Sequence, residues 1–259
     1  GGGELDNGMS VAVKYEYDDD EGDLNHGGGL PGFDSHSITL SSAEMGSITF
    51  AGHGGKTNMD NMDDKTPNAF EESWDGVSEA DEETLVNGIT GNNSFFYKAP
   101  SMGGLTLSVA YVPQGETATP NGSYIDFGVV FKPEAVDGLE VGVAFGETEE
   151  TTGTTVDEQA IYAKYTLGSI SAGINMNESD TIDFTSYGIS FAVTDDISVS
   201  YSASESEIAG ANDQEASGVS ASFTSGGMTI AGMINTVDNA SFEAANDTEG
   251  YEINFSFAF

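Results

Sequence analysis

Cysteine and arginine are absent from this chain, which has only six lysines, three histidines and one tryptophan among its 259 residues. Without cysteine there are no disulfides and no thiolate metal sites, a composition compatible with an oxidising envelope compartment. Forty-four acidic residues against six basic ones give a formal charge of -38, which excludes a nucleic-acid surface, since that needs a basic patch. No stretch reaches the roughly 18 apolar residues of a membrane helix. His26, His36 and His53 are too scattered for a metal triad or a nucleophile, base and orienting group at one point, so an enzyme is not expected.

What the chain does have is alternation. Tyr251 to Phe259 alternates apolar and polar without a break, so as a strand it has one apolar and one polar face. A ladder of Tyr251, Ile253, Phe255, Phe257 and Phe259 suits lipid better than water, and these aromatics are the expected membrane anchor. A strand can face lipid only where every backbone group is paired, in a closed barrel. About fourteen such runs recur from end to end, among them Val11 to Tyr17, Leu105 to Tyr111, Ile125 to Phe131 and Tyr187 to Val193. A hydrophobic share of 37% and a mean hydropathy of -0.25 fit a protein that presents only every second residue to lipid. The reading is one all-β domain over residues 1–259, a transmembrane antiparallel up-and-down β-barrel in the outer membrane of a Gram-negative cell. A soluble β-sandwich also alternates. It does not explain the aromatics near strand ends or the regular rhythm of short and long gaps.

The short gaps lie near residues 44–46, 100–104, 133–138, 168–169, 194–196 and 225–227. The long ones lie near 18–35, 54–92, 113–122, 148–156, 177–183, 204–215 and 236–249. In such barrels short turns are periplasmic and long loops extracellular.

Leu5 to Val13, then Gly46 to Phe50, a long loop, and Asn93 to Ser101 resemble, in that order, segments of the general-diffusion porins of proteobacteria. The resemblance implies a homotrimer of sixteen-stranded, water-filled barrels, with the third loop folded into each lumen. It also implies that two strands preceding Leu5 are missing here; a true fourteen-stranded barrel stays open. The acidic-Phe-Gly motif common in that loop is absent, and the nearest match is Pro67 to Glu72.

The gap from about 54 to 92 is far longer than a hairpin needs, which points to a functional segment. It carries Asp60, Asp63, Asp64, Glu71, Glu72, Asp75, Glu79, Asp81, Glu82 and Glu83. Carboxylates at a constriction attract cations, so these are the expected selectivity residues of a passive channel for ions and small hydrophilic solutes; a solvated acidic surface loop is the plainer alternative. Parity puts Lys14, Lys98, Lys132 and Lys164 on the polar face as a basic wall opposite the acids; Lys98, Lys132 and Lys164, near strand ends, also read as lysines kept wet at the periplasmic rim, which leaves mid-strand Lys14 the best single candidate for the wall. Trp74 would pack the loop against the wall. The run Asp18, Asp19, Asp20, Glu21 and Asp23 offers oxygen ligands for Ca²⁺, although no cofactor is required. Divalent ions at the acidic mouth could bridge to lipopolysaccharide. The rival function is a non-conducting structural or adhesin-type barrel. Its interior should be plugged by bulky side chains, whereas the polar face here is mostly Ser, Ala, Gly, Thr and Asn.

Overall fold

A computed structural model describes residues 1–17, 33–77, 86, 88, 89, 93–113, 121–150 and 153–258. Fifteen strands account for most of them: β1 Gly2–Glu4, β2 Ser10–Tyr17, β3 Phe33–Ser42, β4 Gly46–His53, β5 Ser94–Lys98, β6 Leu105–Val112, β7 Asn121–Phe131 and β8 Leu139–Glu150. There follow β9 Thr155–Leu167, β10 Ile170–Ser179, β11 Ile182–Ala192, β12 Ile197–Ile208, β13 Gln214–Ser225, β14 Met228–Asp238 and, after a 3-10 turn at Ala240–Phe242, β15 Thr248–Phe257. Strand order follows chain order, so each strand pairs with its sequence neighbour, as hairpin connections dictate.

The fourteen alternating runs correspond to β2 to β15. The fifteenth strand, β1, is an addition to that count: it pairs Gly2 with Ala12 and Glu4 with Ser10 through backbone alone, and Gly-Gly-Glu has no side-chain pattern to reveal it.

Four of the gaps read as long are shorter than expected. The β10–β11 turn spans only residues 180–181, and β8 and β9, β12 and β13, and β14 and β15 likewise extend into the acidic stretches. Backbone pairing continues past the point where apolar alternation stops, because ladder hydrogen bonds do not depend on apolar side chains. Acidic residues then meet in register, Asp183 with Glu207, Glu205 with Glu215, and Glu215 with Asp238. Such like-charge pairs are unfavourable, so these hairpins are held by their backbone and by the strands below. At the opposite end, the tight β9–β10 turn depends on Gly168, whose φ of 61° is one that glycine adopts without a Cβ clash.

The chain falls into two compact units: Gly1–Asn61, Asn87–Val129 and Ala144–Asp157 in the first, and Met62–Val86, Val130–Val143 and Glu158–Phe259 in the second. Both are inside-out by the standard of soluble proteins. In the first unit Tyr15, Tyr111, Ile125 and Phe127 are exposed, whereas Ser94, Tyr124 and Asp126 are buried. In the second unit Ile161, Met176, Tyr187, Ile234 and Tyr251 are exposed, the last by 78%, whereas Asn175, Asn177, Ser186 and Asn235 are buried. Each large apolar side chain left in water forgoes about 1.5–3 kcal/mol of burial. A face with this many is a lipid face. Phe255 and Phe257 continue it; Phe259 lies outside the described residues.

Candidate pore constriction

What buries the polar face is the segment that follows β4. In the first unit it begins with a single turn over Thr57–Asn61, in which the Asn61 amide donates to the Thr57 carbonyl at 3.1 Å and the Asp60 amide to Thr57 Oγ1 at 3.2 Å. A turn's first amides lack partners within it and need an outside acceptor. Asp126, on the polar face of β7 and fully buried, supplies one. Its carboxylate accepts from the Asn58 amide at 2.6 Å, Asn58 Nδ2 at 2.8 Å and the Met59 amide at 2.9 Å. It also accepts from the Ala110 amide and the Tyr124 hydroxyl, both at 3.1 Å.

In the second unit the loop runs across the polar face of β10 to β15. Asn175 and Asn177 donate side-chain amides to the Asp63 carbonyl at 2.8 and 2.7 Å. Pro67 lies over Gly173, where a Cβ would come within 2.9 Å of its Cδ, so the strand is cut back to make room. The amides of Ala69 and Phe70 donate to the hydroxyls of Ser200 and Ser220, at 2.9 and 3.1 Å. Asn235 donates to the carbonyls of both Glu72 and Asp75, at 2.7 and 2.9 Å. Between these polar ties Trp74 packs edge-on against Phe184 at 5.3 Å, in an apolar plug with Val77, Ala216, Val237 and Ala240. Trp74 thus packs the loop against the strands, as the sequence suggests.

The expected acidic residues separate into groups. Asp60 pairs with Lys56 within the loop at 3.0 Å. Asp63 serves through its carbonyl, and Asp64 accepts from Thr66 Oγ1 at 3.4 Å. Glu71, Glu72 and Asp75 come together, each with a carboxylate oxygen within 4.8 Å of the others, close enough to share one cation. Burial raises the Glu72 carboxyl first, and hydrogen bonding to Asp64 and Asp75 together with their charges raises it further, to about 10. Glu71 is raised by burial and then by the charges of Asp75 and Glu252. Glu79, Asp81, Glu82 and Glu83 lie outside the described residues, as do the Asp18, Asp19, Asp20, Glu21 and Asp23 run and His26.

Of the lysines, Lys14 pairs with Glu16 at 2.8 Å on an exposed stretch of β2, and Lys98 is exposed at the end of β5, in register with Ser47 and Ser108. Lys132 pairs with Glu140 at 2.8 Å; Tyr162 donates to the same carboxylate at 2.7 Å, and the charge of Lys164 acts on it. Two lysines therefore share one acid on the polar face of the second unit. His36 and His53 are register partners on β3 and β4, next to a register shift at His36 and Ser37.

Sequence reasoning missed Asp126, Asn175, Asn177 and Asn235. Each sits at polar-face parity, where a short polar side chain looks like ordinary pore lining. The available signal was amide and carboxylate side chains among small residues, as in Asn175-Met176-Asn177 and Asp126-Phe127-Gly128.

The sequence pattern of the Gram-negative porins matches residues 1–259. No curated protein matches the chain in sequence. Among solved structures, Salmonella typhi OmpF superposes with a TM-score of 0.71 at 14% identity, covering 100% of this chain and 88% of its own. An anion-selective porin from Comamonas acidovorans gives 0.69 at 16%, covering 100% and 87%. A mutant of the Rh. blastica porin gives 0.69 at 18%, covering 100% and 88%. At these identities the structures establish the fold, and the match along the full length establishes the family. The chain belongs to the Gram-negative porins, channel proteins of the outer membrane and not enzymes.

Proposed function

We propose that this porin passes ions and small hydrophilic solutes by passive diffusion, with a weak preference for cations, and that the β4–β5 loop is its constriction. The observation that carries the reading is the path of residues 57–77. They lie along the polar faces of the strands, tied there by Asp126, Asn175, Asn177 and Asn235, and bring Glu71, Glu72 and Asp75 together. Carboxylates in a narrow aqueous passage raise the local cation concentration. The Lys132–Glu140–Lys164 group gives the wall a partly basic stretch, so that a dipolar solute would feel a field across the passage. Burial and the neighbouring Asp64 and Asp75 raise the Glu72 carboxyl to about 10, which reduces the charge this cluster adds at neutral pH and agrees with a weak preference. The functional unit is a homotrimer whose apolar faces meet lipid and lipopolysaccharide, and it requires no cofactor.

Liposome swelling tests the constriction. Vesicles carrying the porin should admit small sugars and exclude larger ones, and a variant with residues 62–85 replaced by a short Gly-Ser linker should admit the larger sugars at increased rates. Equal cut-offs would refute the loop's role. No swelling from folded protein would favour the non-conducting structural or adhesin-type reading.

A further inference from the structure

We infer that Asp126 and Tyr124 form a clasp that holds both limbs of the β4–β5 loop at their base and thereby sets the width of the channel. The inference rests on that loop being the constriction.

The outgoing limb is gripped through the turn over Thr57–Asn61, whose first free amides converge on the fully buried Asp126 carboxylate. The returning limb passes over the same place at Gly88, where a Cβ would sit 2.5 Å from the Tyr124 hydroxyl and 3.1 Å from Met59 Cβ. Gly88 has a φ of 70°, so the backbone turns sharply where it clears Tyr124. Two limbs separated by almost thirty residues of chain thus meet over one tyrosine, itself fixed by donating to Asp126.

The chemistry of Asp126 is specific to this task. Its five partners are all N–H or O–H donors, and none is a cation. A carboxylate presents acceptors on both of its oxygens, about four sites in all, which takes this set with at least one site shared between two donors. An asparagine would turn an N–H toward amides that already donate. The floor is cut to match. A Cβ on Gly128 would lie 2.9 Å from Ser108 Oγ and overlap the Asn58 side chain, which is hydrogen-bonded to that serine. Asp126 is therefore a positioning residue: it is buried away from the solute path and acts through the loop.

The test compares single-channel conductance for the wild type, the loop-shortened channel, Asp126→Ala and Gly128→Ala. Gly128→Ala leaves the carboxylate in place and suits a strand, so it reports on the clasp even if Asp126→Ala does not fold. Both substitutions should move conductance toward that of the loop-shortened channel. In the Asp126→Ala background, Asn58→Cys with Ser108→Cys should restore the wild-type value when oxidised and lose it again on reduction, because the chain has no other cysteine. Wild-type conductance in both substituted channels, with a wider loop-shortened channel, would overturn the clasp while leaving the constriction standing. Wild-type conductance in the loop-shortened channel would overturn the constriction itself. Equal conductance of the cross-linked and reduced forms would show that the effect is not positional.

Discussion

The loop is held in the two units by opposite strategies. In the first, one carboxylate gathers five donors in a fully buried site. In the second, the same loop is held by separate neutral contacts: three asparagine side chains, a few serine hydroxyls and one aromatic plug. A concentrated anchor fails as a whole, since losing the acceptor strands several buried donors at once. A distributed anchor fails by degrees. Loop position should therefore depend steeply on one residue at the base and only gradually on any residue along the span.

Substitutions at the two anchors sharpen that contrast. Asp126→Asn is expected to have the largest effect, weakening the grip on the Asn58 and Met59 amides by about 4 kcal/mol, because two or more buried donors are left facing an N–H. Hydrogen exchange at those amides should rise steeply while strand amides of β12 and β13 keep their protection. Trp74→Ala follows at about 3 kcal/mol, the lower end for emptying a packed aromatic site, read as faster exchange over residues 70–77. Asn235→Ala should cost about 2 kcal/mol, since two carbonyls lose their donor. Ser220→Ala should cost about 1 kcal/mol, because it takes a partner only from the half-buried Phe70 amide and the Ser200 hydroxyl. If Ser220→Ala matches Asp126→Asn, the distinction between concentrated and distributed anchoring is wrong.

Glu72 adds a pH dependence to the second anchor. Its carboxyl sits near 10 in the docked loop against an ordinary 4.5, so the docked state binds the extra proton. The contribution is complete below about 4.5, declines as pH rises through the interval, and is lost above the docked value of about 10. Trypsin cleavage after Lys65, corrected for the enzyme's own pH profile, should therefore accelerate between pH 7 and 10 in the wild type. Glu72→Gln should flatten that rise. A wild-type rate that falls with pH would contradict the raised Glu72 carboxyl.

Most of the strand architecture is legible in the sequence because lipid forces a strict two-residue period on β2 to β15. Where lipid no longer acts, the signal ends. Glu149, Glu150, Glu205 and Glu207 look like loop yet continue their strands, since pairing there rests on the backbone. The loop's place is legible from its length, and several of its acids do cluster. Its anchors are not, because Asp126 and Asn235 differ from ordinary pore-lining residues only through partners 68 and 163 positions away. The lysines carry a similar lesson: parity places Lys14 and Lys132 on the polar face, but only the register shows each already paired with a glutamate.

In the proposed function the loop's carboxylates bias a water-filled passage toward cations. The reversal potential across a KCl gradient, measured for the wild type and for a channel combining Asp64→Asn, Glu71→Gln and Asp75→Asn, tests it most directly. The wild type should show a cation-selective potential that moves toward zero in the variant with conductance persisting. An anion-selective wild type, or a variant with an unchanged potential, would contradict it.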